Sequence, residues 1–171
     1  MKNFGFTSYD QVDYLGTNGK MNEISAAMGL TNLESMDRFI DANRRHHELY
    51  REEFAGLEGV SVVTYNEEEK CNYQYVVIEV EEERTSISRD QLLRILHAEN
   101  VLARRYFYPG CHRMEPYKSR LPLLSLPATE RVCERVLSLP TGTAVSPVDI
   151  SAICGIIRIV LKNGREVSAK L

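Results

Sequence analysis

Two stretches of this 171-residue chain concentrate side chains suited to binding a ligand. The first is Gly16-Thr17-Asn18-Gly19-Lys20-Met21-Asn22-Glu23. A glycine loop running into a helix start gathers free backbone N–H groups, and Asn18 and Lys20 add side-chain donors, a combination that suits a phosphate. It is not a Walker loop: Tyr14 stands where the earlier glycine would be, and Met21 replaces the Ser or Thr that would bind magnesium. On residues alone, a plain helix-capping loop explains the same pattern, and that reading stays open. The second stretch is Arg104-Arg105-Tyr106-Phe107-Tyr108-Pro109-Gly110-Cys111-His112-Arg113-Met114-Glu115-Pro116-Tyr117. Its rings can stack on a base or sugar, and its arginines can pair with a pyrophosphate. The alternative is an ordinary strand in which Tyr106 and Tyr108 alternate with Phe107, and both readings stand at this point.

Other reactive residue types form no constellation. His46 and His47 are helix neighbours pointing about 100° apart, a poor metal pair. His97 reads as a surface residue at a helix end. The four cysteines, Cys71, Cys111, Cys133 and Cys154, make no C-x-x-C pair and match neither a zinc site nor a disulfide framework. They read as reduced thiols, with Cys133 and Cys154 as small apolar residues on helices. Cys111 and His112 are adjacent, and adjacent residues rarely face one centre. No Ser-His-Asp set or carboxylate pair stands out, so neither a catalytic residue nor a metal site is assigned.

Composition narrows the classes further. The net charge is -3, with 43% hydrophobic and 26% charged residues, ordinary globular values. That balance gives no pull toward nucleic acid or an acidic membrane. The acidic runs at 67–69 and 81–83 read as solvated turns. No stretch approaches the roughly 20 apolar residues of a membrane helix, and no apolar signal region opens the chain. A soluble, cytoplasmic protein is expected.

The elements that must position the two stretches follow from periodicity. Residues 1–21 predict a loop. A helix is expected from near Asn22, with Ile24, Ala27, Met28, Leu30 and Leu33 on one face. A second helix, with Ser35 as its cap, carries Met36, Phe39, Ile40, Asn43, His47, Tyr50 and Phe54 at steps of three and four. Gly56 and Gly59 end it. Val60–Val63 and 72–80 read as strands. Ser88-Arg89-Asp90-Gln91 is a capping box opening a helix through Leu96. Residues 101–108 predict a strand, 109–127 a loop and 128–137 a short helix. Ser146-Pro147-Val148-Asp149 starts the last helix. The order predicts an α+β fold, with a small, mostly antiparallel sheet covered by helices on one face.

Both motifs resemble one family. Asn3-Phe4-Gly5-Phe6 and the stretch from Gly16 to Ala27 are similar to the segment that follows the cofactor-binding half of DegT–StrS nucleotide-sugar aminotransferases. Tyr108-Pro109, His112, Pro116-Tyr117 and Leu137-Ser138-Leu139-Pro140 resemble its later landmarks, in the family's order. The resemblance spans about residues 3–162. It implies the C-terminal small domain plus linking helices of an aspartate-aminotransferase-type (fold type I) enzyme dependent on pyridoxal 5'-phosphate. The division expected is 1–56 as interface loop and linking helices, 57–162 as the small α+β domain and 163–171 as a tail. The family works as a dimer with sites at the interface, so a homo-oligomer or an N-terminal large-domain partner is expected. The resemblance assigns Asn18 to the cofactor phosphate of a neighbouring subunit. Lys20 stands where arginine is frequent, keeping the charge without a two-pronged contact. It places His112 and Tyr117 near a nucleotide-sugar substrate, with Arg104 or Arg105 at its diphosphate. The family's cofactor lysine normally precedes the Asn-Phe-Gly-Phe segment, and Lys2 and Lys20 do not match its setting. The expectation is therefore a C-terminal fragment or subunit, inactive alone, of an enzyme moving an amino group, with glutamate as donor, onto a dTDP- or UDP-linked keto-deoxysugar. The alternatives are a non-enzymatic sugar-nucleotide-binding or regulatory module, or part of a related sugar dehydratase.

Overall fold

The computed structural model describes residues 3–171, so Lys2 lies outside the described residues. By compactness the chain divides into residues 1–38 and 39–171. This division precedes residue 56 because the later turns of the second helix bury His46, His47 and Tyr50 in the second unit.

The first unit is not the plain loop expected. Strands β1 (Phe6–Ser8) and β2 (Gln11–Val12) pair antiparallel. The Thr7 hydroxyl and the Gln11 amide both donate to the Asp13 carboxylate, at 2.8 Å each to Oδ2 and Oδ1. Helix α1 (Glu23–Glu34) begins as predicted, with Asn22 Oδ1 accepting from the Ser25 N–H at 2.8 Å. Ser35 does not cap the following helix. Its backbone stays helical (φ -96°, ψ -3°) and its N–H closes the end of α1 on Thr31 O and Leu33 O. Helix α2 then runs Met36–Glu53.

The second unit is built on a four-stranded antiparallel sheet. Strand β3 (Val60–Val62) is followed by β4 (Val76–Val80), the short helix α3 (Glu82–Thr85), α4 (Arg89–Ala98) and β5 (Arg104–Arg105). A 3-10 turn at Cys111–Arg113, α5 (Tyr117–Arg120), α6 (Pro127–Arg135), β6 (Val136–Leu139), α7 (Pro147–Lys162) and α8 (Gly164–Ser168) complete it. The strand order is β3-β4-β6-β5. Val76, Ile78 and Val80 of β4 and Leu137 and Leu139 of β6 are buried, while Val77, Glu79 and Ser138 between them are only half-buried. A one-residue slip would exchange these sets, and each large apolar side chain is worth roughly 1.5–3 kcal/mol of burial, so the register is fixed. Tyr50 and Phe54 of α2, Leu92 and Leu96 of α4, and Ile150, Ile153, Cys154 and Ile157 of α7 fill the same core. The Tyr50 hydroxyl donates to Pro140 O at 3.0 Å, and Arg158 on α7 donates to the Glu53 carboxylate at 2.8 Å. Burial pushes the Tyr50 hydroxyl pKa upward and the Cys154 thiol to about 12.

The expected capping box is present at Ser88/Gln91, and the helix start expected at Ser146 proves to be a second one, closed by Asp149. Several element limits differ from expectation, and the loop expected over 109–127 holds the 3-10 turn and α5. The strand expected over 72–80 begins only at Val76, because Asn72 Oδ1 accepts from the Gln74 N–H and Tyr73 has φ +50°. The one expected over 101–108 keeps only Arg104–Arg105, since the chain turns at Phe107 (φ +50°). The helix expected to reach 137 ends at Arg135, where Val136 turns extended and enters the sheet. The segment from 163 onward carries α8, whose buried Gly164 leaves no room for a Cβ beside Thr85 O.

Candidate functional site

In the first unit, Asn18 and Lys20 lie on the exposed loop between β2 and α1. The loop is closed by an antiparallel bridge between Asn3 and Asn18 and by the Phe4 N–H donating to Thr17 O at 3.2 Å. Gly5 (φ +86°) permits this closure, since a Cβ there would overlap Tyr14 O. Lys20 Nζ sits 5.8 Å from the centre of the Phe4 ring, so part of its apolar surroundings come from the Asn-Phe-Gly-Phe segment. The Asn22 side chain is spent on the helix cap, which leaves Asn18 and Lys20 as the loop's presented donors.

In the second unit, the Arg104–Tyr117 stretch is brought together around Tyr108. A cavity of about 300 Å³ is lined by Tyr75, Arg104, Arg105, Tyr106, Phe107, Tyr108 and Ser138. Tyr75 and Phe107 flank Tyr106 edge-on, with ring centres 5.3 and 4.8 Å away. A second cavity of about 380 Å³ shares Tyr108 and adds Pro109, Arg113, Lys118, Glu130, Cys133 and Glu134. The guanidinium groups of Arg89 and Arg105 lie 4.8 and 5.1 Å from the Tyr108 ring centre. Both donate through Nε to Asp90 Oδ1, at 2.7 and 2.8 Å. Partial burial works against the Asp90 charge, but the hydrogen bond and charge of Arg105 and those of Arg89 hold its pKa below the usual carboxylate range. Arg89 is itself buried and also donates to Cys133 O at 2.8 Å and Val136 O at 3.0 Å, satisfying carbonyls at the end of α6.

His112 does not open into the arginine cavity. Its ring is buried behind Gly110, with Nε2 3.1 Å from Glu130 Oε1. The same oxygen accepts from Arg113 at 2.8 Å and from the Leu126 N–H at 3.2 Å. These three donors, the Leu126 amide foremost, bring the Glu130 pKa down to about 2. A Cβ at Gly110 (φ +95°) would come within 3.0 Å of the His112 ring, so glycine permits this packing. Cys111, next to His112, is exposed, so the two side chains face different surroundings. Tyr117 opens α5 with its side chain exposed. The structure thus brings Arg104, Arg105 and Tyr108 to one cavity, which His112 does not line.

Several residues escaped the sequence reading. Arg89 and Asp90 were legible only as part of a helix cap, yet they set the position of Tyr108. Glu130 lies 18 residues from its histidine, a separation that carries no local signal. Tyr75 and Ser138 reach the cavity through the sheet register. Among the described residues, no group of three or more His, Cys, Asp or Glu side chains is arranged to hold a metal. No helix among them is long and apolar enough to cross a membrane.

Comparison with known proteins places this arrangement. The model of the DegT/DnrJ/EryC1/StrS aminotransferase family matches residues 1–158. A curated relative, the dTDP-4-amino-4,6-dideoxy-D-glucose transaminase of Shigella dysenteriae, is 32% identical over 92% of this chain and 43% of its own length. The crystal structure of DesI in the presence of its TDP-sugar product superposes with a TM-score of 0.88, at 46% identity, covering 98% of this chain and 43% of that one. A putative PLP-dependent aminotransferase from Bacillus cereus superposes at 0.78, with 25% identity over 92% of this chain and 42% of its own. The chain therefore spans about two-fifths of the length of the relatives it matches. Its fold is α+β, that of the C-terminal small domain and linking helices of a fold type I, pyridoxal-phosphate-dependent enzyme. The family match over residues 1–158, together with the agreement in structure, shows that this chain belongs to the DegT/DnrJ/EryC1/StrS aminotransferase family.

Proposed function

We propose that this chain forms the C-terminal, substrate-facing part of an aminotransferase acting on a dTDP- or UDP-linked keto-deoxysugar, with glutamate as the amino donor. The observation that carries this reading is the 46% identity over nearly the whole chain to DesI, a protein crystallised with its TDP-sugar product. The dTDP-sugar transaminase among the curated relatives supports the same substrate class. Pyridoxal 5'-phosphate, when bound, supplies the electron sink for the transfer. The exposed Asn18 amide and Lys20 ammonium suit its phosphate, and in this reading they serve a neighbouring subunit.

The remaining assignments concern the sugar nucleotide. Arg104 or Arg105 meets the diphosphate, and the aromatic walls beside them suit a planar base. His112 and Tyr117 belong to the sugar end, where Glu130 orients the His112 ring and Tyr117 offers an exposed hydroxyl. A lysine that bonds the cofactor needs a dry or cationic setting to lose its proton at neutral pH. Lys20, Lys70, Lys118, Lys162 and Lys170 are all exposed. In this reading the cofactor lysine belongs to a segment outside this sequence, and the 171-residue chain alone does not catalyse the transfer.

The test is reconstitution. The chain is mixed with a polypeptide carrying the large-domain half of a family member, and glutamate-dependent conversion of a dTDP- or UDP-linked keto sugar is followed by mass spectrometry. Amino-sugar product from the mixture, and none from either chain alone, supports the reading. Product with neither sugar nucleotide, despite an assembled and cofactor-loaded complex, overturns it.

A further inference from the structure

The two adjacent arginines of β5 stand on opposite faces of the sheet. Successive strand residues alternate in direction. Arg105 is paired in register with Leu137, whose side chain is fully buried in the core, and it reaches Asp90 at the start of α4. Arg104 is paired with Ser138, whose side chain lies on the face away from that core, and both line the cavity with Tyr75 and Tyr106. Arg105 donates its Nε to Asp90, whose same oxygen also takes the Nε of Arg89, so one carboxylate offsets part of two guanidinium charges. Arg104 engages no carboxylate among the described residues.

We propose that Asp90 separates the two arginines into different tasks: Arg104, with Ser138, is the contact for the diphosphate of a nucleotide ligand, whereas Arg105 is a positioning residue that holds Tyr108. This assignment rests on the sugar-nucleotide reading above and sharpens it. Arg105 also lines the cavity, but its Nε is tied to Asp90, so an anion entering meets one guanidinium, that of Arg104, with no carboxylate on it among the described residues. Arg105 is held through its Nε by a carboxylate at 2.8 Å and lies against Tyr108, so only its terminal nitrogens remain to meet an anion, in an orientation already fixed. A charge-assisted pair with phosphate is stronger than one between neutral groups, so the free arginine dominates recognition of the charged end. The rings of Tyr75, Tyr106 and Phe107 supply the apolar wall for the base.

The experiment titrates the chain with dTDP and, separately, with thymidine at low ionic strength, following backbone amide NMR signals. In the wild-type chain, dTDP is expected to shift the signals of Arg104, Tyr106 and Ser138. Arg104→Gln, an exposed change that leaves the core intact, should weaken dTDP roughly tenfold and leave thymidine unchanged. Arg105→Gln should weaken both ligands alike by loosening Tyr108, so their ratio stays constant. Asp90→Asn frees the Arg105 charge and should tighten dTDP roughly two- to fivefold, the scale of an exposed charge pair. That gain should vanish in the Asp90→Asn/Arg105→Gln double variant. A purely structural Asp90 would give only weaker binding, and that result would overturn its proposed task. A dTDP-to-thymidine preference lost in Arg105→Gln but kept in Arg104→Gln would overturn the division. Shifts confined to another part of the chain would remove the cavity assignment while leaving the sugar-nucleotide reading intact. No preference for dTDP or UDP over inorganic pyrophosphate would contradict that reading itself.

Discussion

His112 Nε2 lies 3.1 Å from Glu130 Oε1, which makes the buried histidine a donor to a carboxylate that also anchors Arg113 and the Leu126 amide. An ionised carboxylate only accepts, so the proton of this contact sits on Nε2. The loop between β5 and α6 is thereby fastened to the helix that follows it.

The first prediction is an acid sensitivity. The Glu130 pKa is depressed to about 2 in the folded chain. A depressed carboxylate contributes stability that is complete above its unfolded value, near 4.3, and is lost as the pH falls through the folded value. Urea unfolding at steps between pH 6 and pH 2 should show a loss across that window. Glu130→Gln should flatten the profile there and be less stable than wild type at pH 6. Parallel profiles would show that the carboxylate contributes no net stability.

A second prediction concerns Arg89. Its side chain is buried and serves Asp90, Cys133 O and Val136 O. Arg89→Met keeps much of the volume but leaves those carbonyls without a donor, at a cost of about 2–3 kcal/mol. Arg89→Lys keeps the charge but lacks the fork that spans three acceptors, so it should recover only part of the loss. The midpoint of urea denaturation measures both. A midpoint unchanged in Arg89→Met would mean that the network is dispensable.

Much of the fold was legible in the sequence because local signals and burial agree. The capping boxes at Ser88 and Ser146 and the apolar spacing of α4 and α7 fix those helices within a residue or so. Strand β6 was missed because Val136–Leu139 follows directly on a helical stretch, and only pairing with β4 and β5 makes it extended. The β1–β2 hairpin was missed because its residues are exposed and carry no apolar alternation. In the candidate site, the arginines and rings were visible as a cluster of residue types. Their division between two faces was not, since it depends on the register of Arg104 with Ser138 and on Asp90, a residue that reads as a helix-start acid.

The third prediction tests the loop that carries Asn18 and Lys20. Gly5→Ala places a methyl group against Tyr14 O at a positive φ, so the turn must open. Hydrogen exchange should lose protection at the Phe4 amide, which donates to Thr17 O, and at the Asp13 amide, which donates to Gly5 O. Amides of β4 and β6 should keep theirs, because they belong to the other compact unit. Unchanged protection at Phe4 would show that the closure tolerates a side chain.

A fourth prediction concerns association. Helix α1 buries none of its residues, and Ile24, Met28, Leu30 and Leu33 are all well exposed. Large apolar patches left in water favour association. Light scattering should give a dimer or larger species at tens of micromolar, and Met28→Lys/Leu33→Glu should shift it toward monomer. A clean monomer for the wild-type chain at high concentration would count against this surface as an interface.

The central claim, that this chain provides binding groups for an aminotransferase but not its cofactor lysine, is tested most directly by reductive trapping. The chain is incubated with pyridoxal 5'-phosphate, reduced with borohydride, digested and mapped by mass spectrometry. The five described lysines are all exposed, and none has the desolvated setting that activates a lysine, so only sparse labelling spread over several positions is predicted. Dialysis before reduction should remove most of it, because the contacts offered by Asn18 and Lys20 are too few to retain the cofactor. Stoichiometric labelling of one lysine that survives dialysis would contradict the account and identify that lysine as the catalytic residue.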